Sequence, residues 1–220
     1  MIVIGLTGPT GAGKTTALAV LAEMGFEVVD CDSLYDRLLQ TDEALRQSLT
    51  DAFGQVFLPD GQLDRRTLAE RVFSDPAELA KLNAVVFPVV SAAVEQKVKN
   101  CSQKGVAIDA VNLVESGLNR MCDAAVAVTA APAIRLGRIM ARDHLTREQA
   151  QARISAQKPD GSYKDFCTHI LENRETERGA FEASAREFFA NLLESLNGGE
   201  ENRGSERVEG KTAASEEERL

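Results

Sequence analysis

Short apolar runs alternate with amphipathic segments along most of the chain. Four runs are rich in apolar and β-branched side chains and too short for helices, which predicts buried strands; these are Ile2–Leu6, Phe26–Val29, Val106–Val111 and Ala124–Val128. Segments of helical character lie between and after them, over residues 14–24, 42–53, 64–73, 76–87, 133–142, 146–157 and 176–196. This alternation predicts an α/β fold in which a parallel β-sheet core is flanked by helices.

The stretch between the second and third predicted strands holds more helices than a crossover connection requires, so we expect a helical subdomain there. Within it, Asp75 is the predicted cap of a helix that has Pro76 at its first position and ends near Phe87 and Pro88. Residues 197–220 contain seven acidic and four basic residues and no aromatic one. We therefore expect one domain over 1–196 and a disordered acidic tail over 197–220.

Charge and cysteine content argue against several classes of protein. A net charge of −9 disfavours nucleic acid as a partner, since affinity for it depends on Lys and Arg. The four cysteines form no CxxC pair, so we expect reduced, mostly buried thiols rather than a zinc site or a disulfide framework. The N-terminus lacks the basic region of a secretory signal, and the apolar runs look too short for a membrane span of about 20 residues. We expect a cytoplasmic protein without membrane contact.

The strongest functional signal follows the first predicted strand. The segment from Gly8 to Thr15 fits the phosphate-binding pattern G-x-x-x-x-G-K-[ST], which is called a P-loop. Glycines let backbone N–H groups reach phosphate oxygens, Lys14 supplies a positive charge, and Thr15 offers a hydroxyl to Mg²⁺. The alternative is a chance glycine-rich turn, but the strand before it and the helix after it favour a nucleotide site. Its predicted members are Gly8, Pro9, Thr10, Gly11, Ala12, Gly13, Lys14, Thr15 and Thr16, with ATP and Mg²⁺ as the ligands.

Acidic residues follow the second and third predicted strands. Asp30 and Asp32 come at the end of the second, at the edge where open parallel sheets bind ligands. Strand alternation would point both to one side, which makes Asp32 a candidate catalytic base; the alternative is that Asp32 or Ser33 caps a helix. Asp109, late in the third strand, either holds Mg²⁺ through water or is a structural carboxylate bonded to backbone or to a P-loop residue.

Five arginines cluster in a predicted helix pair, namely Arg135, Arg138, Arg142, Arg147 and Arg153. The first three are spaced i, i+3, i+7 and share one helix face. One interpretation is a solvated face paired with Asp143 and Glu148. The other is a lid whose arginines neutralise charge on a transferred phosphoryl group while the lid excludes water. Because the chain has a P-loop we favour the lid, with Arg138 and Arg142 as its catalytic members.

These motifs resemble those of the dephospho-CoA kinase family over residues 2–173. The similarity is carried by residues 4–8 before the P-loop, by Asp30-Cys31-Asp32, by 60–69, by 82–88 and by the lid segments 138–143 and 153–157. The resemblance implies a P-loop kinase fold with a helical CoA-binding part at about 34–100 and a helical lid at about 138–166. It also implies phosphorylation of the 3′-hydroxyl of dephospho-CoA by ATP and Mg²⁺, with Asp32 as the base. The implied acceptor-binding residues are Asp32, Arg65, Arg66, Asn83 and Pro88, and the expected metal ligands are Thr15 and Asp109.

The chain departs from the family pattern at positions that concern the acceptor and the adenine. Phe87 stands where the family usually has His before the proline, and Val111 stands where it has Pro. Thr168 replaces an acidic residue, and Asp36 occupies a position where an arginine is often expected. All four positions lie outside the P-loop.

Two other functions stay open from the sequence. One is a P-loop kinase for another small hydroxyl or nucleotide acceptor, and the other is a nucleotide-binding regulatory protein without turnover. A GTPase switch is disfavoured, because the chain has no N-K-x-D element for guanine. We expect a monomer whose partner is a small-molecule substrate.

Overall fold

The computed structural model describes residues 1–158, 160–174 and 178–213, and the chain divides into two compact units after Arg174. The strands of the first unit are β1 (Ile2–Thr7), β2 (Phe26–Asp30), β3 (Gly105–Asp109), β4 (Ala124–Thr129) and β5 (His169–Glu172). Its helices are α1 (Lys14–Glu23), α2 (Cys31–Thr41), α3 (Glu43–Phe53), α4 (Arg65–Ser74), α5 (Pro76–Asn100), α6 (Pro132–Asp143) and α7 (Arg147–Ser155), with short 3₁₀ helices at Leu118–Met121 and Asp160–Asp165.

The strands form one sheet in the order β2-β3-β1-β4-β5, and every pair is parallel. This confirms the predicted α/β fold with a parallel core. The register aligns Leu6 of β1 with Asp109 of β3, and Asp109 with Asp30 of β2. The carboxyl ends of three neighbouring strands therefore lie side by side. This places the loop after β1 next to the acidic residues that end β2 and β3.

The pattern of apolar runs did not predict β5. This strand has four residues and lies at the edge of the sheet beside β4, where His169 aligns with Val126. Leu171 is buried, but Glu172 is exposed and the other two residues are half-buried. A short edge strand of this kind lacks the continuous apolar run by which the central strands are recognised.

Helix α5 extends well beyond its predicted end. It begins as predicted, with the Asp75 carboxylate accepting a hydrogen bond from the N–H of Ala77 at 2.8 Å. It then continues through Pro88 to Asn100, so the predicted end near Pro88 is wrong. The turns after Pro88 bury Val90 and Val94 in the apolar core shared with the sheet. Tertiary burial of this kind outweighs the hydrogen bond that a proline removes from a helix.

Helices α2 to α5 form the predicted helical subdomain between β2 and β3. Its core is built from α2, α3, α4 and the loop before α4, by Leu39, Leu45, Leu49, Phe53, Val56, Leu68 and Val72. By length and composition alone, α5 is long and apolar enough to cross a membrane, which contradicts the expectation that every apolar segment is too short. In this fold α5 packs against α2, α3, α4 and β3.

The second unit contains α8 (Arg178–Ala213). This helix covers most of the predicted helix 176–196, of which residues 176 and 177 lie outside the described residues. It also continues past residue 197 into the segment expected to be a tail. Residues 214–220 lie outside the described residues, and the domain boundary at 196 and the disorder of the tail stay predictions.

Candidate active site

The loop between β1 and α1 has a backbone conformation that depends on glycine. Gly8, Gly11 and Gly13 have φ angles of 142°, 82° and 106°, in the region that side chains disfavour. A Cβ on Gly8 would lie 2.1 Å from the carbonyl oxygen of Val128, so a side chain there would push the loop off β4. Gly13 is the N-cap of α1 and has no side chain to bond the first N–H groups of that helix. The first N–H groups of α1 are therefore available to bind an anion.

Lys14, the first residue of α1, forms an ion pair with Asp109 at the end of β3. The two side chains are only 19% and 18% exposed. The strand register explains the contact, because Asp109 lies beside Leu6 and the loop starts just after that residue. Of the two interpretations of Asp109, the ion pair supports a carboxylate bonded to a P-loop residue. A role of Asp109 as a Mg²⁺ ligand stays a prediction.

A cleft of about 340 Å³ opens over the loop. It is lined by all the predicted P-loop residues except Ala12 and Thr16, together with Val111, Arg138 and Arg142. Ala12 is fully buried, and Thr16 lies within α1. The cleft therefore combines backbone donors, a lysine, a threonine hydroxyl and arginines, which is a donor set suited to phosphate.

Arg138 of α6 bonds the backbone of the P-loop. It donates to the carbonyl oxygens of Gly11 and Ala12 at 3.0 and 3.3 Å, and to Oδ1 of Asn173 at 3.1 Å. Asn173, just after β5, is buried and donates to the same Ala12 carbonyl at 2.9 Å. Burial lowers the pKa of Arg138. Asn173 was not among the predicted site residues, because a contact between positions 161 apart has no local sequence signal.

Arg142 lies at the exposed rim of the same cleft. Its guanidinium donates to the two carboxylate oxygens of Asp143 at 2.7 and 2.9 Å, which raises the pKa of Arg142. Arg153 of α7 pairs with the same carboxylate. Arg142, Asp143 and Arg153 thus form a solvated, charge-paired face, as the first interpretation describes. Arg138 and Arg142 also line the cleft over the P-loop, and their function in stabilising a transferred phosphoryl group stays a prediction.

The first half of the loop is held by Arg135 and Gln157, neither of which was a predicted site residue. Arg135 is 1% exposed and donates through Nε to the carbonyl of Thr10 at 3.0 Å. The Oε1 atom of Gln157 accepts from the Thr10 N–H at 3.2 Å, and its Nε2 donates to the Thr10 hydroxyl at 2.6 Å. From the sequence, Arg135 belonged to the arginine face of the predicted lid and Gln157 to a lid segment that resembles the family. Neither pattern indicated that the two residues bond Thr10.

The acidic pair after β2 differs from the prediction. The strand ends at Asp30 and α2 starts at Cys31, so Asp32 belongs to the helix. The prediction that the two carboxylates point to the same side of one strand is therefore wrong. The helix cap is Asp30 rather than Asp32 or Ser33: its carboxylate accepts from the N–H groups of those two residues at 2.9 and 3.0 Å. Asp32 lies in the first turn of α2 and is exposed.

The two carboxylates have opposite pKa shifts. Partial desolvation opposes ionisation of Asp30, but the hydrogen bonds from Ser33 and Asp32 outweigh it and lower the pKa of Asp30. Desolvation raises the pKa of Asp32, and the negative charge of Asp30 adds to the effect. The carboxylate with the raised pKa is the better proton acceptor of such a pair. Burial raises the pKa of the Cys31 thiol between them to about 12, so it stays protonated and does not act as a nucleophile.

Asp32 borders a second, mainly apolar cleft of about 190 Å³ between α2, α5 and the segment after β3. Tyr35, Asn83 and Phe87 are among its walls. Val111 lines both this cleft and the cleft over the P-loop, and its carbonyl accepts a hydrogen bond from the Thr7 hydroxyl at 3.1 Å. The two clefts therefore meet at a residue that is anchored to the end of β1.

A third cavity, of about 540 Å³, is polar and lies between α2 and the start of α4. Arg65 and Asp36 line it and form an ion pair of 2.5 Å. Of the predicted acceptor residues, Asp32 and Asn83 therefore meet in one cleft and Arg65 lies in this neighbouring cavity.

Two of the predicted acceptor residues, Arg66 and Pro88, line none of these three cavities. Arg66 is 89% exposed and pairs with Glu70 of its own helix. Pro88 is an exposed residue inside α5. Among the departures from the family pattern, Phe87 and Val111 line the apolar cleft. Thr168 instead bonds both the N–H and the carbonyl of Ala125 at 3.0 Å, next to β5.

The residues present fit a nucleoside triphosphate with Mg²⁺. The glycine backbone, the N-terminus of α1 and Lys14 suit the phosphates. For the metal, the protein offers the Thr15 hydroxyl in the cleft and Asp109 beside it. Within the described ranges no group of three or more His, Cys, Asp or Glu side chains is arranged to hold a metal ion. Phosphate oxygens and water would therefore complete the coordination.

A phosphate loop after the central strand, joined through Val111 to a cleft with a candidate base, is the arrangement expected of a small-molecule P-loop kinase. Comparison with known proteins identifies the family within this class of kinases. Residues 2–178 match the family model of dephospho-CoA kinase. The chain belongs to the dephospho-CoA kinase family.

Individual relatives agree with the family match. A dephospho-CoA kinase from Dehalococcoides mccartyi is 35% identical over 177 residues, which cover 79% of this chain and 89% of that protein. One from Deinococcus radiodurans is 38% identical over 190 residues, covering 84% and 91%. A crystal structure of TT1252 from Thermus thermophilus matches with a TM-score of 0.72 and 34% identity, covering 88% of this chain and 97% of that one.

Proposed function

We propose that this protein transfers the γ-phosphoryl group of ATP to the 3′-hydroxyl of dephospho-CoA, which gives coenzyme A and ADP. The observation that carries the proposal is the shared wall at Val111, because it sets a cleft bordered by Asp32 directly beside the P-loop cleft. The family match and the relatives named dephospho-CoA kinase support the choice of acceptor.

Asp32 is the proposed general base. Its carboxylate takes the proton of the 3′-hydroxyl while the hydroxyl oxygen forms a bond to the γ-phosphorus and the bond to the bridging oxygen of ADP breaks. Asp32 then releases the proton to water. The raised pKa of Asp32 makes its ionised form a stronger proton acceptor than an ordinary aspartate.

Lys14, Arg142 and the N–H groups at the start of α1 are the proposed stabilisers of negative charge on the phosphoryl group. Arg138 supports them by bonding the carbonyl side of the loop, which leaves the N–H groups for phosphate. Thr15 and Asp109 are the proposed Mg²⁺ ligands, and the metal would supply positive charge that offsets the negative charge of the phosphates.

Asn83 and Arg65 are the proposed acceptor contacts from the helical subdomain. Asn83 lies in the cleft that Asp32 borders, and Arg65 lies in the polar cavity beside α2. A cytoplasmic, monomeric enzyme stays our expectation.

A panel of acceptors tests this proposal. Purified protein is incubated with ATP, Mg²⁺ and one acceptor at a time, and ADP release is compared for dephospho-CoA, nucleoside monophosphates and adenosine. We expect ADP with dephospho-CoA and little with the others. Turnover of another acceptor, with none of dephospho-CoA, would reject the proposed substrate.

A further inference from the structure

We propose that Gln157 is a positioning residue for the P-loop: it fixes Thr10 in one conformation and so sets the affinity of the empty site for ATP. Gln157 contacts a loop residue and none of the reacting atoms. The inference rests on the proposed ATP site but does not depend on the identity of the acceptor.

All three polar groups of Thr10 are bonded by two side chains from distant parts of the chain. Its carbonyl accepts from Arg135 Nε at 3.0 Å, its N–H donates to Gln157 Oε1 at 3.2 Å, and its hydroxyl accepts from Gln157 Nε2 at 2.6 Å. Arg135 also donates to Gln157 Oε1 at 2.5 Å. Gln157 therefore contributes two bonds to Thr10 and is itself oriented by Arg135.

The sequence of the loop makes its backbone flexible unless other residues hold it. Thr10 stands between Pro9, which has no N–H, and Gly11, whose φ is 82°. Glycines at positions 8, 11 and 13 give this segment wide conformational freedom when nothing holds it. If only a fraction of molecules has the loop in its binding conformation, the apparent Kd for ATP rises as the inverse of that fraction.

The position of Gln157 is itself well defined. It lies two residues after the end of α7, and α7 packs on α6 through a small core that contains Leu136, Ile139 and Ala150. The next residue, Lys158, forms an ion pair with Glu115 in the segment after β3. Gln157 therefore lies between two held segments of the chain, and its side chain links the α6–α7 pair to the loop.

The test compares two glutamine-to-leucine variants in the same region. Gln157→Leu keeps the size of the side chain and removes both bonds to Thr10. Gln151→Leu makes the same chemical change at an exposed position of α7. The Kd for ATP is measured by calorimetry without acceptor, and kcat is measured at saturating ATP.

We expect the Kd for ATP to rise about tenfold in Gln157→Leu, as for the loss of one to two hydrogen bonds, and to stay within about twofold in Gln151→Leu. In both variants kcat at saturating ATP should stay within about threefold of the value for the unchanged protein. The substitution lowers the fraction of molecules whose loop can bind ATP, and saturating ATP restores that fraction. An unchanged Kd in Gln157→Leu, an equal rise in both variants, or a loss confined to kcat would overturn the proposal.

A second variant tests whether Gln157 acts through Thr10. Thr10→Val removes the hydroxyl bond alone and should raise the Kd about threefold. The double variant should bind ATP no more weakly than Gln157→Leu, since both changes remove the same contact. Fully additive effects would contradict coupling through Thr10. If Gln157→Leu does not fold, Thr10→Val carries the test by itself, and an unchanged Kd in that variant overturns the proposal.

Discussion

At the scale of single residues, the chain gives two aspartates different environments by changing from strand to helix between them. Asp30 ends β2 and its carboxylate is occupied by the N–H groups of the first turn of α2. Asp32 lies inside that turn, where partial desolvation and the negative charge of Asp30 raise its pKa. The sequence singled out both acids, but the strand-to-helix boundary decides which of them is the cap and which is the candidate base.

Replacing Asp32 tests its assignment as the base. We expect Asp32→Asn to lower kcat by about 10²–10⁴, because the amide cannot take the hydroxyl proton, with little change in the Kd for ATP. Asp51→Asn, at an exposed carboxylate of α3, is the control and should leave kcat unchanged. Near-normal kcat in Asp32→Asn would remove Asp32 from this function.

The pKa of Asp32 predicts a pH dependence. Only the ionised carboxylate can accept a proton, so kcat/KM for the acceptor should fall as pH decreases through the pKa of Asp32. Because that pKa is raised, the fall should begin above the usual range of an aspartate, which is near 3.9. The measurement is kcat/KM for dephospho-CoA across pH, and a flat profile down to about pH 4 would contradict the assignment.

Arg65 and Arg66 form a natural pair for testing acceptor recognition. Arg65 lines the polar cavity, whereas Arg66 is exposed and pairs along its own helix. We expect Arg65→Ala to raise the KM for dephospho-CoA about tenfold, through loss of a charged contact, and Arg66→Ala to change it less than twofold. Equal effects of the two variants would show that the cavity does not bind the acceptor.

At the scale of elements, the P-loop depends on helices that follow it by more than a hundred residues. Arg135 of α6 donates to the carbonyl of Thr10, and Arg138 donates to those of Gly11 and Ala12, at sequence separations of 125, 127 and 126. Periodicity could predict that these arginines share a helix face, but not what lies opposite that face. The local patterns therefore found the loop and the helix and missed the contact between them.

Helix α5 gives a prediction about stability. Pro88 interrupts the hydrogen bonds inside a helix whose later turns are buried, and the residue itself is exposed. We expect Pro88→Ala to raise the free energy of unfolding by about 1–3 kcal/mol, measured by urea denaturation. The KM for dephospho-CoA should stay unchanged, because Pro88 lines none of the three cavities. A destabilised variant would contradict the expected gain in stability, and a raised KM would show that the proline has a function in the acceptor site.

At the scale of the whole molecule, the sequence predicted the α/β class, the helical subdomain and the P-loop, because each has a local pattern. Buried strands show continuous apolar runs, and the P-loop shows its glycine spacing. The edge strand β5 and the passage of α5 through Pro88 depend on contacts with distant residues, which a local pattern does not contain. The same reason explains why Gln157 and Asn173 were missed at the loop.

The acidic C-terminal segment gives a prediction at this scale. Residues 197–220 have three more acidic than basic residues and few apolar ones, so they can contribute little buried area. We expect deletion of 197–220 to leave kcat and Tm nearly unchanged. A decrease in Tm of several degrees would show that the segment contributes to folding.

The identity of the product tests the proposed reaction most directly. Purified protein is incubated with ATP, Mg²⁺ and dephospho-CoA, and ³¹P NMR and mass spectrometry follow both products. We expect one ADP for each coenzyme A, with the new phosphomonoester on the 3′-oxygen. ADP formation without phosphorylated acceptor, or phosphorylation at another hydroxyl, would contradict it.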